Sequence, residues 1–355
     1  MTAPQQVAAE VSGPPIYGYD FTPDGSTLYG LLDNPPSLIT VNQATGAPTT
    51  VGPMPRGPTE HWTDLTIDPI TGRAYATTVA DNVTSYAMYT VDLATGATTL
   101  IASVGASAMP IDMSMNCEGV LYAETLGTSG LYRVNPASAQ MTLVGPLGAF
   151  LQGAQGMDFD NATGVLHAWL YGGSNTNYSS INVATGAATP FAGTEPPGQF
   201  EGAIKSECSP PTASVTSGPT GKTADLRPAF GFATTYAARA ECSLDRGTPA
   251  FGPCTAPSYQ PASALAPGGW TFRVRGVRGA HVAEATRAFQ VVDCAGLKAK
   301  VAKAEAGVQK ARKALTKAKK SGNAAKIKAA RKKTKKANKA LKAARAVLAA
   351  EPVCG

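Results

Sequence analysis

Alternation of apolar and polar residues dominates the first two hundred positions of the chain, and the same turn interrupts it at regular intervals. The pattern is clearest at Tyr89-Thr90-Val91-Asp92-Leu93-Ala94-Thr95-Gly96-Ala97-Thr98-Thr99, which reads as strand, tight turn, strand. It recurs at Ile39 to Thr49, Tyr132 to Thr142 and Ile181 to Thr189. Upstream of each copy lies a second shared pattern, an alternating strand, a Gly or Asp turn, and a short apolar strand ending near an aromatic. Its four versions are Asp20 to Tyr29, Asp64 to Tyr75, Asp112 to Tyr122 and Asp158 to His167. The turn positions Gly46, Gly96, Ala139 and Gly186 are 50, 43 and 47 residues apart, the size of a four-stranded propeller blade. A mainly β fold follows, with a small β-propeller of four to five blades over residues 16–208. A fifth unit begins at Phe200-Glu201-Gly202-Ala203-Ile204-Lys205-Ser206-Glu207-Cys208 and stops, so it supplies one strand at most. That strand could close the ring, because an open blade edge leaves unpaired backbone donors.

The repeats resemble the bacterial secreted propellers that carry "LYxVDxATGAxT" units. The resemblance covers roughly Ile16 to Cys208 and implies an architecture; the roles of that loose family are mostly unknown. From Ser209 the composition shifts to Pro, Ser and Thr, and Pro210-Pro211 marks a linker or first edge strand. Beyond it come Glu241-Cys242-Ser243-Leu244-Asp245, Cys254 and Gly268-Gly269-Trp270-Thr271-Phe272-Arg273-Val274-Arg275. This order resembles the immunoglobulin-like modules strung along bacterial surface proteins, and implies a β-sandwich over residues 209–293 with a spacer or adhesive role. The chain departs from that pattern at Val277-Arg278-Gly279-Ala280-His281, where such modules carry an Asp- and Asn-rich turn.

The apolar period then changes. Leu297, Val301, Ala304, Val308, Ala311, Leu315 and Ala318 alternate spacings of four and three; Ser321-Gly322-Asn323 breaks the pattern, and Ile327, Ala330, Thr334, Ala337, Leu341, Ala344 and Leu348 resume it. Two helices of about 24 residues, roughly 36 Å each, are expected to fold back as an antiparallel hairpin over residues 294–355. No Lys or Arg occupies either coiled-coil-like seam. A seam of small residues buries little apolar area, so the hairpin needs support, and Cys294 and Cys354 stand just outside its open ends to staple it.

Charge sharpens this division. The formal net charge is +7, but from Ala295 onward 19 Lys and Arg face only Glu305 and Glu351, so a basic tail follows an acidic body. None of the six cysteines has the Cys-x-x-Cys spacing of a zinc or redox site. Three disulfides are expected, Cys242 to Cys254, Cys294 to Cys354 and, by elimination, Cys117 to Cys208. They imply an oxidising compartment, extracellular or at the cell surface. Residues 1–15 form an N-terminal extension with neither the basic start nor the apolar run of a secretory signal. Either the true start lies upstream, the reading adopted here, or export uses another route. No stretch approaches the roughly 18 apolar residues of a membrane span.

Candidate chemistry is sparse. Asp20, Asp64, Asp112 and Asp158 recur once per repeat and, with a two-residue offset between the pairs, point to one face of their strands. Such a ring could hold a hard cation such as calcium; alternatively each carboxylate accepts hydrogen bonds from turns of its own or the next blade. Glu60-His61-Trp62, placed in the loop between the first two blades, is the candidate ligand-binding corner. With only His61, His167 and His281 present, no triad or metal-ligand spacing appears. Gly218 to Thr223 lacks the first glycine of a phosphate loop, because position 216 is Thr216. The sequons at Asn82, Asn161 and Asn177 read as ordinary turns.

The expected function is therefore that of a secreted or surface-attached binding or adhesion protein, with the propeller as recognition head for an unknown ligand. The basic hairpin would anchor it to a polyanion such as an anionic cell-wall polymer. No enzyme is required and no catalytic residue is assigned. A metal-dependent propeller hydrolase or lactonase is the rival, resting on the carboxylate ring alone. Nucleic-acid binding by the tail is a third reading, weakened by the absence of aromatics for stacking and of a base-reading motif.

Overall fold

Sixteen short strands, joined in sequence order, build four antiparallel sheets from the repeats. The computed structural model describes residues 15–105, 108–153, 156–191, 200–205 and 207–355. The expected N-terminal extension, apart from Pro15, lies outside the described residues. The chain divides into two units, Met1–Pro210 with Arg278–His281, and Pro211–Val277 with Val282–Gly355.

In the first unit the sheets are β1 (Ile16–Phe21), β2 (Leu28–Asp33), β3 (Pro36–Val41) and β4 (Pro48–Pro53); β5 (Glu60–Ile67), β6 (Ala74–Ala80), β7 (Ser85–Val91) and β8 (Thr98–Gly105); β9 (Met109–Met115), β10 (Leu121–Leu126), β11 (Gly130–Val134) and β12 (Met141–Pro146); and β13 (Gly156–Asp160), β14 (Val165–Tyr171), β15 (Thr176–Ile181) and β16 (Ala188–Pro190). Each sheet is an up-and-down meander, and the first strands β1, β5, β9 and β13 touch one another in succession. Four-stranded repeats ordered in this way fit a β-propeller.

The repeated phrase has a local cause. Asn42, Asp92, Asn135 and Asn182 each turn a side-chain oxygen onto the backbone N–H two residues ahead, an Asx-turn that starts the reversal. The fifth residue then takes a left-handed conformation and donates back to the first: Gly46, Gly96 and Gly186 at φ of 71°, 77° and 80°. Glycine adopts this without a Cβ clash. The third repeat places Ala139 there at φ 59°, and the Tyr86 hydroxyl donates to its carbonyl at 2.6 Å.

Burial follows the alternation. Along β14, Leu166, Ala168 and Leu170 are buried while Val165, His167, Trp169 and Tyr171 are partly exposed. The buried faces pack between sheets. Leu31, Leu38 and Met54 meet Trp62, Leu65 and Ala76; Tyr86 and Met88 meet Met113 and Leu121; Leu131 meets Met157, Phe159 and Leu166. The start of the incomplete fifth repeat, Phe200 to Lys205, is not a strand of any sheet. Cys117, in the turn after β9, is bonded to Cys208, as expected.

In the second unit, β17 (Thr212–Ser217), β19 (Phe230–Thr235) and β22 (Ser258–Tyr259) form one sheet; β18 (Lys222–Thr223), β24 (His281–Val291), β23 (Gly268–Arg278), β20 (Arg239–Asp245) and β21 (Gly252–Cys254) form another, in that order. Both contribute to one core around Phe230, Phe232, Phe272, Val274, Phe289 and Val291, with the Phe230 and Phe272 rings stacked at 4.4 Å. Cys242 and Cys254 join β20 to β21.

Helices α1 (Cys294–Lys320) and α2 (Ala324–Ala349) have 27 and 26 residues. They outrun the expected length because Asp293 and Asn323 cap their first turns, each accepting the N–H three residues ahead. Every seam position read from the sequence is buried or partly buried, with Val308 and Ala330 the most enclosed. Thr334 Oγ1 reaches the Ala311 carbonyl at 3.4 Å, Arg345 pairs with Glu305 at 2.6 Å, and the Cys294–Cys354 disulfide closes the open end. Among the described residues no helix is long and apolar enough to cross a membrane. A carboxylate in the seam would be buried without a partner, so Val308→Asp is expected to cost on the order of 3 kcal/mol. It should lower the 222 nm helical signal of the full chain, measured by circular dichroism on heating.

Candidate functional site

The four predicted aspartates form two tiers. In each sheet one first-strand residue faces the aromatic or imidazole of the second: Asp20 opposite Tyr29, Thr66 opposite Tyr75, Ser114 opposite Tyr122, Asp158 opposite His167. Asp64 and Asp112 lie two residues earlier, at the places where the other repeats have Gly18 and Gly156. The expected offset is thus a difference in position along the strands.

These carboxylates tie one first strand to the next. Asp20 Oδ2 accepts the Ile67 N–H at 2.6 Å and the Thr66 hydroxyl at 3.1 Å. Asp64 Oδ2 accepts the Met113 N–H at 2.8 Å. Asp158 accepts the Ser114 hydroxyl at 2.8 Å on one oxygen and, on the other, the Ile204 N–H at 2.5 Å. Ile204 belongs to the incomplete fifth repeat, so Phe200 to Lys205 receives from Asp158 the bond that β5 receives from Asp20 and β9 from Asp64. A cavity of ≈ 10 Å³ lies beside this tier, lined by Asp20, Asp158, Ile67, Met115 and Ile204 among others, with room for about one water.

Two further acids join the second tier. Glu124, opposite Asp112 on β10, is 0 % exposed, and neither of its carboxylate oxygens meets a hydrogen-bond donor. The oxygens of Glu201 are buried as well, beside the Asp112 carboxyl and the Gly18 backbone. Asp112 lies in hydrogen-bond contact with Glu201, which two carboxyl groups can sustain only if one keeps a proton. None of the ion pairs among the described residues reaches these acids. Burial, reinforced by the neighbouring acids, holds Asp20, Asp112, Glu124 and Glu201 well above the usual carboxylate range. Burial pushes Asp64 to about 8 and Asp158 to about 7 against the hydrogen bonds they accept. Among the described residues no three acid, imidazole or thiol groups form a set that could hold a metal ion.

Sequence reasoning named neither Glu124 nor Glu201. Glu124 sits inside Leu121-Tyr122-Ala123-Glu124-Thr125-Leu126, where alternation with Tyr122 and Leu126 puts it on one face; an acid in that company was the available signal. Glu201 follows Phe200 in a repeat that stops short, and its phrase carries no such mark.

The proposed corner at Glu60-His61-Trp62 is not a loop. These residues open β5, and alternation turns His61 away from Glu60 and Trp62. Trp62 is 1 % exposed, edge-on to Tyr89, with its indole N–H donating to the Met54 carbonyl at 3.2 Å. Glu60 accepts from the Thr78 and Tyr89 hydroxyls at 2.8 and 2.7 Å. Only His61 faces solvent, its ring nitrogens 2.7 Å from Asp33 and 2.8 Å from Asp81. The Asp33 carboxylate raises its pKa. His167 packs against the stacked rings of Tyr178 and Phe191, and burial lowers its pKa. In the other unit all 19 basic residues after Ala295 are exposed. The acids there are engaged, Glu305 with Arg345 and Glu351 with Lys222 at 2.8 Å.

A family model described as a repeat of unknown function (DUF6923) matches residues 17–168. No curated protein matches the chain. Among solved structures, the PQQ-bound aldose sugar dehydrogenase of Streptomyces coelicolor is similar at 15 % identity and a TM-score of 0.37, covering 52 % of this chain and 69 % of its own. Regucalcin from Agrobacterium tumefaciens, a calcium-binding protein, gives 13 % identity and 0.35, covering 61 % and 81 %. Hydrazine synthase of Kuenenia stuttgartiensis gives 14 % and 0.34, covering 78 % and 65 %. Likeness at this level carries no inference about ligand or activity.

Two substitutions check the ties. Asp158→Asn turns an amide N–H₂ toward at least one of three donors, the Ser114 hydroxyl and the Phe159 and Ile204 N–H groups, and is expected to cost about 1–3 kcal/mol in urea unfolding of the full chain. Gly18 has φ 58°, and a Cβ there would stand 2.2 Å from the Leu65 nitrogen and 2.4 Å from Asp64 Oδ1. Gly18→Ala should therefore cost more, on the order of 3–4 kcal/mol, read from the same unfolding curves.

Proposed function

We propose that the protein is an extracellular or cell-surface binding protein that holds to a polyanion, such as an anionic cell-wall polymer, through its helical hairpin. The observation that carries this reading is the hairpin's charge. Nineteen exposed cations stand on two stapled helices, and the acids beside them are already paired. Such a surface attracts any dense polyanion and releases counterions on binding. The three disulfides suit an oxidising setting. In this reading the repeat sheets are a recognition head, and the two sheets around Phe230 and Phe272 are an immunoglobulin-like spacer. The hydrolase or lactonase alternative draws on the buried acids. Against it, the cavity beside Asp20 and Asp158 has the volume of about one water, too little for a substrate.

The test uses the full chain and a variant with Lys332, Lys333, Lys335, Lys336, Lys339 and Lys342 changed to Gln. On immobilised poly(glycerol phosphate) the native protein should be retained at about 50 mM salt and released by about 500 mM, as the Debye length shrinks from roughly 14 to 4 Å. The variant should elute at markedly lower salt. Equal retention of the two proteins, or retention indifferent to salt, would sink the proposal. Tighter holding by duplex DNA at matched salt would favour the nucleic-acid reading instead.

A further inference from the structure

We propose that Glu201 makes the segment Phe200 to Lys205 a proton-dependent clasp on the repeat unit, seated while the acids around it hold protons and released when they lose them. The segment bridges the first and last sheets. Towards the last sheet, the Ile204 N–H reaches Asp158, Phe200 and Gly202 lie against Gly156, and Gly202 lies so close to Trp169 that a Cβ on it would stand 2.7 Å from the indole ring. Towards the first sheet, the Lys205 side chain lies on the turn at Gly25.

Between these contacts Glu201 enters the acid cluster. The groups that bear on it are acidic or neutral: Tyr17 and Tyr19 from β1, Asp64 from β5, Asp112 from β9 and Glu124 from β10. Asp20 on β1 and Asp158 on β13 add two more buried acids to the same end of the sheets. Lys205 is exposed, and none of the ion pairs among the described residues joins a cation to the cluster. Neither oxygen of Glu124 meets a donor, and Glu201 lies beside the Asp112 carboxyl, so ionising either places a buried charge among carboxyl groups with no cation to pair it among the described residues.

Those on β5, β9 and β10 are fixed in sheets. Glu201 is not in a sheet, so withdrawing its segment is the available relief. Cys208, seven residues on, is bonded to Cys117, so a released segment stays tethered and can reseat.

The sign follows from the acids' direction of shift. Their folded pKa values lie above the unfolded ones, so seating is favoured most at acid pH and is lost as pH rises through the folded values. Alkali, not acid, opens the clasp.

Trp169 reports the event because Gly202 covers it. Full-length protein titrated from pH 5 to 9.5 should show a reversible rise in acrylamide quenching as the pH rises. Far-UV circular dichroism should stay constant, and the change should be absent in Trp169→Phe. In Glu201→Gln the transition should disappear or move upward by at least one pH unit. Glu124→Gln, which leaves the segment untouched, should also move it upward and serves if the first variant folds poorly. A flat profile in the native protein, or an unchanged midpoint in both Gln variants, would overturn the clasp. So would loss of the native transition in millimolar calcium, which would give the cluster to a cation.

Discussion

A carboxylate on one first strand accepting the backbone N–H of the next is the interaction on which the repeat unit depends. Sheets in a ring share no ladder hydrogen bonds across their faces, so packing alone must fix their relative height. A bond such as Asp64 to the Met113 N–H, or Asp20 to the Ile67 N–H, sets that height where the strands converge. Thr66 and Ser114 alternate with Asp20 and Asp158 because each hydroxyl donates to the carboxylate of a neighbouring repeat. The arrangement concentrates acids where none of the ion pairs among the described residues reaches them. The repeat unit gains its register from groups that are most easily kept there in neutral form.

The same bond explains how a repeat that stops after a few residues still belongs to the fold. Phe200 to Lys205 has no sheet of its own, yet Asp158 holds the Ile204 amide as other aspartates hold true strands. The same bond joins β1 to β5, β5 to β9 and β13 to the short segment, while the Ser114 hydroxyl makes the link between β9 and β13. The segment's weakness is that it also brings Glu201 into a cluster with no compensating charge.

Legibility from the sequence was greatest where one period governs one face. The hairpin seam was readable position by position, because exclusion of Lys and Arg from Leu297, Val301 and their successors is a strong signal; the helix ends were not, since they depend on the caps at Asp293 and Asn323. The blade turns were readable from Asx and Gly spacing, and so was the two-residue offset between the pairs of aspartates. The hydroxyls that fill the offset places were not, since only strand pairing shows Thr66 and Ser114 opposite Tyr75 and Tyr122. His61 is adjacent to Glu60 and Trp62 in the chain but faces away from both, which meet at Tyr89, because a strand sends successive side chains to opposite faces. Glu124 and Glu201 are joined only by the closing of non-adjacent repeats.

The Cys294–Cys354 bond gives the hairpin a property that its packing does not. Lysine-rich helices that expose nearly every basic side chain invite proteolytic cleavage, and the bend at Ser321 to Asn323 is the place where the backbone is least protected. A single cut there would separate the helices in sequence without freeing either one, since the second would still hang from the disulfide at the opposite end. The nicked protein would keep its full complement of cations on the same rod. In an environment with secreted proteases, the hairpin can lose its continuity before it loses its charge.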